Sequence, residues 1–166
     1  MAAGATYEPI ATTTLVSATN LVSFTSISGS YTDLVFVFTG TNATSSNGMR
    51  VRVNGDTGSN YSFTQLYGDG STTGSARSAT ETSASLFVDV GASQATGIAH
   101  FQNYSNSTTY KTILSRGSAA NTTADTSVGL WRNTAAITSM EFRLTGNATS
   151  NFATGSTFTL YGIAAA

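Results

Sequence analysis

The chain has no cysteine, one proline in 166 residues, and charge on only 9% of its side chains. Without cysteine there are no disulfides, no thiolate metal sites and no cysteine nucleophile. With so little charge, the polar surface must be built from hydroxyls and amides, and a formal net charge of -1 leaves little repulsion between copies. The seven basic residues, Arg50, Arg52, Arg77, Lys111, Arg116, Arg132 and Arg143, are dispersed and form no basic stripe, so a nucleic-acid partner is not expected. No apolar run approaches the roughly 18 residues of a membrane span, so no membrane partner is expected either. The opening "MAAGATYEPIATTTL" lacks the basic and apolar regions of a secretory signal, which leads us to expect a soluble chain made in the cytoplasm.

What the chain does have is a core's worth of apolar side chains, 40% hydrophobic with nine Phe and seven Tyr. That is too rich for disorder, and the length suits one domain. Runs of Val, Phe, Tyr, Ile and Thr recur between clusters of Gly, Asn, Ser and Asp, the pattern of an all-β protein. Strands are expected at 6–15, 21–27, 32–39, 48–54, 60–67, 84–90, 96–104, 110–116, 126–132, 136–145 and 156–163. The expected fold is a single-domain antiparallel β-sandwich.

Two runs show how the pattern is read. "MRVRV" (49–53) alternates Met49, Val51 and Val53 with Arg50 and Arg52, so one face is buried and the arginines point outward. "LVFVF" (34–38) is apolar on both faces and belongs in the middle of a sheet, covered on each side. "SARSATETSAS" (75–85) has no apolar residue larger than Ala and reads as a loop or arm. Pro9 removes a donor and keeps Glu8 extended, so residues 1–8 are expected to form an N-terminal arm ahead of a domain at 9–166.

"NGDTGSNYSFTQLYGDGS" (54–71) has the look of a cation site, with Asp56 and Asp69 among glycines and amides. The eight-residue strand between them spans roughly 25 Å, however, so the two carboxylates cannot share an ion. Asn54-Gly55 and Asp69-Gly70 instead read as turns, with Asp56 in an Asx-type turn. No metal and no cofactor are expected.

Catalytic signatures are also missing. His100, the single histidine, shares a strand face with Ile98 and Gln102, and no G-x-S-x-G elbow accompanies it. Glu81, Asp89, Asp125 and Glu141 stand alone, without a motif that pairs them for acid–base work. No catalytic residue is named and no enzyme activity is expected. Trp131, Tyr61, Tyr67, Tyr104 and Tyr110 suit either a core or a sugar-stacking platform, and Arg132 beside Trp131 suits a contact surface.

Taken in order, "YEPIATTTL", "SGSYTDLVFVF", "RVNGDTGSNYSFTQLYGDGS", "NYSNSTTYKTILSR", "VGLWRNTAAITSMEF" and "NFATGSTFTLYGIAAA" resemble a group of small β-rich virion proteins of tailed bacteriophages. This resemblance implies a jelly-roll-like fold and a non-enzymatic role as a capsid decoration, or cement, protein on the capsid exterior, made in the host cytoplasm. Its partners would be the major capsid protein and copies of itself, as a homotrimer. The alternative it implies is a tail-associated or tail-fibre domain that binds host surface glycan. Partner contacts are expected at Ala2, Ala3, Tyr7 and Glu8 of the arm, at Arg50 and Arg52, and at Trp131 and Arg132.

Overall fold

The computed structural model describes residues 6–44, 46–119, 121–146 and 150–164. They form twelve strands and no helix. In chain order these are β1 (Tyr7–Thr14), β2 (Leu21–Phe24), β3 (Asp33–Gly40), β4 (Asn47–Val53), β5 (Tyr61–Gly68), β6 (Thr73–Glu81), β7 (Ala84–Val90), β8 (Ala95–Phe101), β9 (Lys111–Ala119), β10 (Thr123–Trp131), β11 (Met140–Leu144) and β12 (Thr157–Ile163).

Two antiparallel sheets result: an eight-stranded one ordered β1-β12-β3-β8-β9-β10-β5-β6, and a four-stranded one ordered β2-β11-β4-β7. β1 pairs with β12 and β2 with β11, so the chain is rolled up from its two ends, in keeping with the jelly-roll-like sandwich expected.

The alternation in the sequence sets which face each strand buries. Met49, Val51 and Val53 of β4 are fully buried, as are Leu34 and Phe36 of β3. Across the two layers Phe36 stacks on Phe142 of β11, with ring centroids 3.8 Å apart. Phe87 of β7 reaches down between the directly paired Gly97 and Gly117 of β8 and β9, where any Cβ would collide with its ring. Small residues on the large sheet thus make room for a large one on the small sheet.

Three expectations are corrected. Residues 73–81 are not a loop or arm but strand β6, paired along its length with β5. Tyr7 and Glu8 are not in an arm but in β1, held to Ile163 and Gly162, whereas Ala2 and Ala3 lie outside the described residues. No second layer of described residues covers the outward side of "LVFVF", where Val35 is buried but Val37 only half-buried.

The Asn54-Gly55 turn is more than a turn. Both residues have positive φ, 51° and 64°. The Asn54 side chain donates to the Ala136 carbonyl (2.7 Å) and accepts from the Thr138 amide (2.8 Å), fastening the loop before β11 to the end of β4.

Candidate binding face

The four-stranded sheet covers one side of the eight-stranded sheet, and no described element covers the other. Register places the outward side chains of that open face in rows running across the strands, three of which are continuous across all eight. The first is Thr14, Thr157, Thr39, Thr96, Ser118, Ala124, Gly68 and Thr73. The second is Thr12, Thr159, Val37, Ile98, Arg116, Thr126, Leu66 and Ser75. The third is Pro9, Tyr161, Val35, His100, Leu114, Val128, Thr64 and Arg77. Seven interstrand spacings make each row roughly 34 Å long.

The rows differ in chemistry. The first is a line of hydroxyls, the second mixes hydroxyls and aliphatic groups around Arg116, and the third is mostly apolar, with His100 near its middle and Arg77 at one end. Leu66, Leu114 and Val128 are exposed on this face. Ile98, His100, Leu114, Arg116 and Thr126 line one shallow depression of about 360 Å³.

The charges are arranged unevenly. Arg50 meets Glu81 at 3.2 Å and lies over the Phe63 ring, while Arg52 and Arg143 flank Glu141 at 3.9 and 3.6 Å. Arg132 donates to the Ser59 carbonyl (2.8 Å), and Lys111 donates from within the core to the carbonyls of Thr109 and Thr134. Burial lowers the Lys111 pKa. Arg77 and Arg116 remain, each exposed and without a carboxylate or carbonyl partner among the described residues. Both point from the open face.

Among the described residues the carboxylates avoid the three rows, and Asp33 lies on the same face in a partial row with Ile163 and Tyr7. Asp56, Asp69, Glu81, Asp89, Asp125 and Glu141 all stand outside the three rows. Asp33 sits at the margin and accepts from the Asn103 amide (2.6 Å), and Glu8 is on the edge strand β1 between Tyr7 and Pro9.

Elsewhere the candidate chemistry of the sequence turns out to be structural. Asp56 accepts from the Gly58 amide (2.8 Å), from Asn60 and from the indole Nε1 of Trp131 (2.7 Å). Burial pushes its carboxyl up, but the hydrogen bonds from Trp131, Asn60 and Gly58 and the charge of Arg52 together hold it below the ordinary value. Asp69 closes the β5–β6 turn by accepting from the amides of Ser71 (2.8 Å) and Thr72 (2.6 Å), and these bonds lower its pKa.

Trp131 is 1% exposed, so it offers no contact surface; Arg132 beside it is spent on backbone carbonyls. Tyr61 and Tyr104 are buried and make no platform with Tyr67 and Tyr110. Burial raises the Tyr61 hydroxyl to about 12, and that hydroxyl bonds the Val53 amide (3.1 Å). Of the expected contact residues, Tyr7 is exposed beside Tyr161, and Arg50 and Arg52 are half-buried in their ion pairs. The free arginines Arg77 and Arg116 were not singled out in the sequence. Their only signal is the absence of an outward-facing carboxylate on the neighbouring strands, since Asp125 of β10 turns to the buried side, and that needs the register to be seen.

No family model and no curated protein matches the chain. Among solved structures, alginate lyase Aly36B is similar over 91% of this chain and 76% of its own, at 10% identity and a TM-score of 0.41. A mutant of the same lyase in complex with alginate trisaccharide is similar over 92% of this chain and 78% of its own, at 6% identity and a TM-score of 0.33. The expectation of a non-enzymatic capsid decoration protein, with a tail-associated domain as its alternative, is corrected at this point, because both of these structures are of an enzyme and neither is a virion protein. At this level of similarity the likeness assigns no activity to the chain.

Proposed function

We propose that the chain is a carbohydrate-binding β-sandwich and that the open face of the eight-stranded sheet is its binding surface. The observation that carries this reading is the composition of the three rows: hydroxyls, low aliphatic treads and unpaired donors side by side on a face that no described element covers. A sugar ring presents C–H patches and a rim of hydroxyls, so a site for it needs apolar contact and polar groups in alternation. A protein-docking patch would be expected to centre on large aromatic anchors, and this face has its aromatic residues only at one side, at Tyr161 and Tyr7.

The test is a glycan array probed with purified protein, followed by backbone chemical-shift mapping with the best ligand. Shifts are expected to cluster at outward positions of β8, β9 and β10. An array without signal, or shifts confined to the four-stranded sheet, would remove the reading.

A further inference from the structure

Two cations left without partners in a chain this poor in charge call for a ligand that supplies the missing anions. We propose that the open face binds a linear acidic polysaccharide, one bearing carboxylates, whose chain runs across the strands so that one acidic group meets Arg116 and another meets Arg77. This rests on the carbohydrate-binding reading and sharpens it to a substrate class and a direction.

The geometry supports each part. Arg116 stands in the depression with His100, on the wall formed by Ile98 and Leu114. A guanidinium offers planar paired donors to a carboxylate, and the imidazole nearby adds a donor or acceptor for a neighbouring hydroxyl. The aliphatic walls exclude water from one side of that contact, which strengthens it.

Arg77 lies on β6, three strands from β9, and one row over from Arg116. Three spacings across the sheet and one side-chain repeat along it put the two roughly 16 Å apart. A single sugar cannot reach both, whereas a chain crossing the strands can. Between them lie Thr126, Val128, Thr64 and Leu66, the same mixture of hydroxyl and aliphatic groups. No carboxylate in the three rows would repel such a ligand. Asp33, at the far margin, is already engaged with the Asn103 amide.

The experiment measures affinity for polygalacturonate, for its fully methyl-esterified form with the same backbone and no charge, and for polyphosphate, a polyanion without sugar. It uses the full chain, Arg116→Ala, Arg77→Ala, and Arg143→Ala on the other sheet as a charge-matched control. All three side chains are on the surface, and thermal melting checks that each variant folds.

Polygalacturonate is expected to bind at least about tenfold more tightly than the ester, with a comparable loss in Arg116→Ala, a smaller one in Arg77→Ala and none in Arg143→Ala. Short oligomers that cannot span the two arginines are expected to bind weakly to the wild type and to be insensitive to Arg77→Ala. Equal binding of acid and ester would overturn this inference and leave the carbohydrate reading standing. Binding of neither would overturn the inference, and the glycan array then decides the carbohydrate reading by itself. Polyphosphate binding as tightly as the uronate, or equal losses in Arg116→Ala and Arg143→Ala, would reduce the face to unspecific charge and overturn the inference.

Discussion

Asp56 shows how one side chain holds several levels of structure at once. It closes a turn through the Gly58 amide, steadies Asn60, and gives the buried indole of Trp131 its acceptor. Asp56→Ala leaves that indole N–H without a partner, so a loss of about 1–3 kcal/mol in unfolding free energy is expected. Chemical denaturation of the two proteins measures it, and a change within error would show that water replaces the carboxylate. Asp125 behaves in the opposite way. Burial, with Asp89 nearby adding to it, raises its carboxyl to about 6, against a hydrogen bond from the Val88 amide. The folded chain therefore holds this proton more tightly than the unfolded chain, whose carboxyl titrates near 3.8. Stability should be greatest below the lower value, fall as pH rises to about 6, and then stay level. Asp125→Asn is expected to remove that slope and to gain about 1–2 kcal/mol at neutral pH. Denaturation midpoints of both proteins across this range check it; parallel curves would contradict it.

At the scale of the element, the paired glycines of β8 and β9 make a sharper case. Gly97→Ala puts a methyl group into the Phe87 ring, and overpacking of this kind is expected to cost about 1–3 kcal/mol. Phe87→Leu in the same chain should recover part of the loss, and a double-mutant cycle on melting data reads the coupling. The strands themselves were largely legible, because "MRVRV" and "LVFVF" write their burial in alternating or continuous apolar residues. β6 was not legible. "TGSARSATE" buries almost nothing and is held as a strand by its neighbour β5 rather than by its own pattern. The binding face was illegible for a different reason. Thr39, Thr96 and Thr157 look ordinary one by one, and become a line of hydroxyls only once strands far apart in the chain are set in register.

For the molecule as a whole, the two terminal strands are unequal. β1 is an edge strand, while β12 sits between β1 and β3. A chain beginning at Leu15 loses one edge and should still melt cooperatively, at a lower temperature. A chain stopped after Gly155 loses the strand that joins β1 to the sheet, and with it Phe158 and Leu160 from the core, and should show no cooperative transition. Circular dichroism melts of the two truncations separate these outcomes. The same connectivity bears on how the chain comes off the ribosome. Thr14 and its partner Thr157 are 143 residues apart, so at a synthesis rate of about 5–20 residues per second β1 waits on the order of 10 s for the strand it pairs with. Until then β3 also lacks one flank, and its apolar "LVFVF" run is open to other nascent chains. The scarcity of charge elsewhere in the chain does little to keep them apart, so chaperone demand and yield at high expression are where the rolled-up topology should be felt first.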